Sequence, residues 1–152
     1  MTPQNSVPPP GSRPAPLPSA MGAKTANKLG LSLEASGSGS AVVLHCEGRI
    51  LFRSQANALS AMVAETLPRA ERMVVNLAGV DSIDSAGLGE LVLTHLWAQA
   101  AGYALKFASP KKSVRRLLES TNVASVFDLY ASVPQAIAAM VHEEVQAEAR
   151  SA

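Results

Sequence analysis

From Leu31 onward, short apolar runs alternate with stretches whose apolar residues recur every three or four positions. Leu31–Ala35 and Ala41–Glu47 flank a Gly/Ser cluster at 37–40, the pattern of a β-hairpin, with Gly48 ending the second strand. Ser54 is placed to cap a helix carrying Leu59, Met62, Val63 and Leu67 on one stripe, and Pro68 is expected to stop it. Met73–Leu77 is a compact apolar run of the kind that fills a buried central strand. A second helix is predicted from about Ala86 to Ala101, with Gly102 closing it. Tyr103–Ala108 reads as the next strand. Ser109 and Pro110 then supply an N-cap and a first-turn proline for a third helix with Val114, Leu117 and Leu118 inward. Phe127–Tyr130 reads as a short strand. Pro134 opens a last helix with Ile137, Met140, Val141 and Val145 along one stripe.

Strand Met73–Leu77, a helix and strand Tyr103–Ala108 make a βαβ unit, which calls for parallel strands and a right-handed crossover. The predicted fold is therefore α/β: a mixed β-sheet of four to five strands with about four α-helices in a single compact domain. Its functional surface should lie beyond the carboxyl ends of the parallel strands.

Composition sets the limits. Thirteen Lys and Arg against twelve Asp and Glu give a net charge of +1, so neither nucleic acid nor an anionic membrane is an expected partner. Cys46 is the sole cysteine, and His45, His95 and His142 are widely spaced, so no disulfide, metal or cofactor is expected. No apolar run approaches the roughly 18 residues that cross a bilayer, and a cytoplasmic location is the default expectation. Seven of the ten prolines fall in the first eighteen positions, and residues 1–29 hold no acid. Such a segment buries too little apolar surface to offset the entropy of ordering, so 1–29 is predicted to be a disordered Pro-rich leader. The domain is expected over 30–147, with a disordered tail at 148–152. Pro14-Ala15-Pro16-Leu17-Pro18 has the composition that docks in an aromatic groove as polyproline II.

The turn after the first parallel strand carries the chemistry: Asp81-Ser82-Ile83-Asp84-Ser85-Ala86-Gly87-Leu88-Gly89. A helical wheel puts Leu88, Gly89, Val92, Leu93, Leu96 and Ala100 on one face, expected to pack on the sheet, with Gly89 permitting close approach. Gly87 costs the helix about 1 kcal/mol against alanine, which suggests a need for exposed, approachable backbone. Ser85 sits at or beside the N-cap. As a cap it would contribute about 0.5–2 kcal/mol. As a phosphate acceptor it would place the added anion against unpaired amides and the positive end of the helix dipole.

The neighbours are less specific. Lys111, Lys112, Arg115 and Arg116 open the next helix; the first two are expected near Ser85, as a solvated face or as contacts to an acidic partner. Asp81 and Asp84 lack a nearby catalytic base or acid, and Gly87-Leu88-Gly89 lacks the third glycine of a dinucleotide fingerprint. No catalytic residue is assigned. His95 is expected to be partly buried, Trp97 to lie at the edge of the packed face, and Cys46 to be an inert small hydrophobe.

Val74-Val75-Asn76-Leu77-Ala78-Gly79-Val80 followed by Ile83-Asp84-Ser85-Ala86-Gly87-Leu88-Gly89 resembles the signature of the STAS domain, and more narrowly of bacterial anti-sigma factor antagonists. The resemblance continues through Ser109-Pro110, Val114-Arg115-Arg116-Leu117-Leu118 and Val126-Phe127. Glu47-Gly48-Arg49-Ile50 resembles an early strand-end turn of the family, and coverage runs from about Leu31 to Met140. This resemblance implies a STAS-like fold and a switch protein rather than an enzyme. It implies that the unphosphorylated form binds a cognate anti-sigma factor, an ATPase-type serine kinase, and frees the sigma factor. That kinase phosphorylates the hydroxyl after the Asp, and a serine phosphatase resets it. Ser85 holds the acceptor position, Asp84 the acid, and Asp84, Ser85, Ala86, Gly87, Leu88 and Gly89 the partner-binding turn. Ala86 stands where some members carry a second hydroxyl, and Ala78 replaces a frequent serine. The alternative within the family is a constitutive STAS subunit of a larger assembly, such as a lipid-transport ABC complex or a stress-signalling scaffold, with Ser85 a structural cap.

Overall fold

A computed structural model describes residues 29–36, 41–51 and 54–151. Of the leader predicted over 1–29, residues 1–28 lie outside the described residues, as does the Gly/Ser turn at 37–40, whereas Leu29 already belongs to the first strand. The elements are β1 (Leu29–Ala35), β2 (Val42–Ile50), α1 (Ser54–Ala70), β3 (Arg72–Ile83), α2 (Ser85–Ala100), β4 (Ala104–Ala108), α3 (Lys112–Ser120), β5 (Leu129–Tyr130) and α4 (Val133–Ser151). One sheet holds the strands in chain order; β1 is antiparallel to β2, and every other neighbouring pair is parallel.

That topology fixes the layers. Three successive parallel connections advance across the sheet in one direction, and right-handed crossovers then put α1, α2 and α3 on the same face. Leu59, Val63 and Leu67 of α1, Leu88 and Leu91 of α2, and Val114 and Leu118 of α3 share a core with Leu44, Met73, Val75, Leu77, Leu105 and Phe107 of the sheet. Strand side chains alternate between faces. Accordingly Val74 and Ala108 meet Ala136 and Met140 of α4 on the opposite face.

Several boundaries differ from the sequence reading, each for a local reason. Gly48 does not end β2; it takes a positive φ of 118° and the strand runs on to Ile50. β3 extends well past Leu77 to Ile83 by taking one extra residue against β2 twice, between His45 and Glu47 and again between Gly48 and Arg49. Gly79 sits at the first bulge, where a Cβ would come within 2.8 Å of the Cys46 carbonyl. Pro68 lies inside the last turn of α1, and Glu71 closes that helix in a left-handed conformation, donating its N–H to the Leu67 carbonyl at 2.6 Å. Ser109 has a φ of 61° and bonds through its N–H to the Tyr130 carbonyl, so it is not an N-cap; Lys111 takes that position without a side-chain cap. Phe127 leaves the strand pattern to stack on Phe107 with ring centres 4.5 Å apart. The last helix continues to Ser151, past the boundary at 147.

Two polar features on the α4 side of the sheet gave no signal in the sequence. Lys106 is almost fully buried in β4, with Nζ 3.1 Å from both Asp128 and Glu143. Its desolvation opposes the charge, but the two carboxylates outweigh it and hold the ammonium above the ordinary lysine range. Across the first three strands, Asn76 accepts the Ala78 N–H on Oδ1, leaving its amide nitrogen to face His45 Nδ1 at 2.8 Å. His45 therefore carries its proton on Nε2, which donates to Glu34 at 2.7 Å.

Candidate functional site

Parallel strands deliver their carboxyl ends to one edge of the sheet, and the turn from β3 into α2 lies there. Asp84 is the N-cap: its backbone is extended, and Oδ1 accepts the Gly87 N–H at 2.7 Å. Its own N–H donates to the Ile50 carbonyl at 3.2 Å, tying the start of α2 to the end of β2. Capping thus belongs to Asp84, and Ser85 is the first helical residue. Of the four amides that lack a helical acceptor at this terminus, those of Asp84 and Gly87 are bonded. The other two belong to Ser85 and Ala86, both exposed.

The six residues of the predicted turn divide into two sets. Asp84, Ser85, Ala86 and Gly89 are exposed, whereas Gly87 and Leu88 are buried. Gly87 is the glycine of close approach. A Cβ there would lie 2.5 Å from the Ile50 carbonyl oxygen and 3.0 Å from Asp84 Oδ1. Gly89 has the opposite setting, with nothing within 4 Å of a Cβ. Their roles are thus exchanged relative to the sequence reading: packing demands Gly87, and the open backbone belongs to Gly89.

The packed face of α2 is also rotated from the one drawn on the wheel. Leu88, Leu91, Thr94, His95 and Ala98 face inward. Leu93 is 63% exposed, Leu96 46% and Trp97 40%, forming an apolar outer surface continuous with the Ser85 turn. His95 is fully packed, edge-on to Phe127 at 5.6 Å, and among the described residues its Nδ1 has no hydrogen-bond partner.

An ion pair stands beside the turn. Lys111, the N-cap of α3, hydrogen-bonds Asp81 on β3. That hydrogen bond and the ammonium charge, with a smaller contribution from Arg49, hold the Asp81 carboxyl below its ordinary range. With Asp81 bonded to Lys111 and Asp84 to an amide, the two acids do not form a free carboxylate pair for proton transfer. Among the described residues, no group of three or more His, Cys, Asp or Glu side chains is placed to hold a metal ion, and no helix is long and apolar enough to cross a membrane.

Comparison with known proteins places this geometry in a family. The family model described as STAS domain matches residues 32–136. An anti-sigma factor antagonist from Mycobacterium paratuberculosis superposes with a TM-score of 0.64 at 20% identity, covering 74% of this chain and 93% of that one. The Bacillus cell fate determinant SpoIIAA in its phosphorylated form gives 0.55 at 15% identity, covering 73% and 99%. A sulfate transporter family protein from Wolinella succinogenes gives 0.58 at 13%, covering 68% and 91%. The curated proteins contain no match.

Proposed function

The chain belongs to the STAS domain family, and from that premise we propose that it is a phosphorylation-controlled anti-sigma factor antagonist. It acts as a binding module and not as a catalyst. Its unphosphorylated form binds a cognate anti-sigma factor through Asp84–Gly89 and the outer face of α2, which releases the sigma factor. The anti-sigma factor is an ATPase-type serine kinase that transfers the γ-phosphoryl group of ATP to Ser85 Oγ; ADP leaves and the hydroxyl proton passes to the kinase. A serine phosphatase reverses the mark, and the exchange takes place in the cytoplasm.

The observation that carries this reading is the position of Ser85: exposed, first in α2, beside a cap that leaves its own amide and that of Ala86 without a helical acceptor. A phosphate there adds about −1.5 to −2 charge next to Asp84. The domain tolerates that charge, because the helix terminus favours anions. A docked partner does not. Like charges about 4 Å apart at a protein surface repel by roughly 4 kcal/mol, and about 2.7 kcal/mol already weakens binding a hundredfold. Solved structures of SpoIIAA in unphosphorylated and phosphorylated forms share the fold and support the reading by analogy.

Calorimetric titration against the histidine-kinase-like ATPase encoded nearest the gene tests it. Ser85→Ala is expected to bind as tightly as the unmodified chain, and Ser85→Glu at least tenfold more weakly. Equal affinities for all three would reject the switch and favour a constitutive STAS subunit.

A further inference from the structure

Beside the Ser85 turn, α1 and α2 leave an open groove of about 470 Å³, lined by Asn57, Ser60 and Ala61 on one side and Glu90, Leu93 and Trp97 on the other. Its chemistry is specific. One end holds a carboxylate, Glu90, fixed by the Ser60 hydroxyl at 3.0 Å. The other holds the indole of Trp97, itself set against Tyr103 with ring centres 5.8 Å apart. An acid and a Trp along one apolar channel suit a polyproline II segment that carries a neighbouring basic residue, since prolines stack on the indole and the cation meets the acid.

We propose that the occupant is this chain's own leader, through Arg13-Pro14-Ala15-Pro16-Leu17-Pro18. The spacings agree. Glu90 and Trp97 are seven residues apart, about 10.5 Å along the helix axis. In polyproline II, Arg13 stands about 9 Å from Pro16 and about 15 Å from Pro18. The charges agree as well, because residues 1–29 hold Arg13, Lys24 and Lys28 and no acid.

The point of attachment permits the contact. Leu29, the first residue of β1, pairs with Gly48 near the carboxyl end of β2, and the Ile50 carbonyl two residues on holds the start of α2. The leader therefore joins the fold at the end where α2 begins. Trp97 lies twelve residues further along that helix, about 18 Å. Residues 19–28 reach about 33 Å when extended, enough to bring Pro18 to the indole. Tethering at this length supplies an effective concentration near the millimolar range, so a contact too weak to hold a free peptide is populated within one chain. This is what favours the leader over a Pro-rich segment of another protein.

Trp97 is the only tryptophan, so its fluorescence reports this groove alone. The full chain is compared with full-length Pro14→Ala/Pro16→Ala/Pro18→Ala and with Arg13→Glu, using emission wavelength and acrylamide quenching at several protein concentrations. Both variants are expected to red-shift and to lose protection from quenching, with far-UV circular dichroism unchanged and a urea midpoint lowered only by the lost docking of the leader. Adding Glu90→Arg to Arg13→Glu is expected to restore protection. Identical quenching of the parent and the proline variant would overturn the proposal, leaving the groove to a foreign partner. Protection that appears only as concentration rises would also overturn it, pointing to a second copy of the chain. The readout involves no kinase or sigma factor, so its failure is separable from failure of the Ser85 switch.

Discussion

Two glycines, one helical step apart on either side of Leu88, should respond to the same substitution with opposite signs. Exchange of glycine for alanine within a helix gains about 1 kcal/mol when the added methyl meets nothing. Gly89→Ala meets nothing within 4 Å and should stabilise the fold by about 0.5–1 kcal/mol. Gly87→Ala places its methyl 2.5 Å from the Ile50 carbonyl oxygen, about an ångström inside normal contact. That carbonyl cannot swing aside freely, because it accepts the Asp84 N–H and belongs to β2. Overpacking costs about 1–3 kcal/mol, and displacement of Asp84 adds up to about 2 kcal/mol for the lost cap. The propensity gain of about 1 kcal/mol offsets only part of this, leaving a net loss of up to about 4 kcal/mol. Urea denaturation followed by far-UV circular dichroism measures both variants, with midpoints compared at constant slope. A rise for Gly89→Ala and a fall for Gly87→Ala are expected. Shifts of the same sign would refute the reasoning, because they would mean that the β2–α2 junction yields where the structure makes it rigid.

Three buried or paired groups, Cys46, Lys106 and Asp81, supply the further expected outcomes. The Cys46 thiol, pushed up to about 12 by burial, should resist a disulfide reagent at pH 8 and react fully only in denaturant; rapid reaction in the folded state would contradict its packing. Asp128→Asn with Glu143→Gln should destabilise the fold by about 1–3 kcal/mol by depriving the Lys106 ammonium of its counter-charges, whereas Lys106→Met should cost less in the same urea assay. Because the folded state holds the Lys106 ammonium above its unfolded range, that contribution is complete at neutral pH and lost as pH rises through the folded value, so the gap between parent and double variant should close only in strong alkali. Carboxyl NMR should show Asp81 titrating below the ordinary range in the parent and moving upward in Lys111→Ala; an unmoved titration would remove the ion pair from the account.

The sequence pattern carried the order of elements because each crossover helix and strand has its own period and its own punctuation. It failed where a residue's neighbours lie far along the chain. α2 is apolar nearly all round, with Leu88, Leu91, Val92, Leu93, Leu96 and Trp97 distributed over the wheel. Its period therefore cannot choose the buried face, and the face chosen from sequence included the exposed Leu93 and Leu96. Gly87 and Gly89 are indistinguishable in the sequence; only the Ile50 carbonyl, some forty residues away, separates a packing glycine from an open one. Lys106 drew no attention within its strand because the partners that hold it, Asp128 and Glu143, lie on later elements. The Ser85 turn was legible because its information is local: a capping acid, a hydroxyl and two glycines opening a helix. What stayed hidden was the division of labour, with Asp84 capping and Ser85 left free of that role.

The central claim is that Ser85 accepts a phosphoryl group and that the modified chain no longer holds its partner. Incubation with ATP and the cognate ATPase, followed by intact-mass measurement and titration of the purified product, tests both halves together. One added phosphoryl unit on the parent, none on Ser85→Ala, and affinity reduced by about a hundredfold or more in the modified chain are expected. Modification at another residue, or undiminished affinity after modification at Ser85, would contradict it.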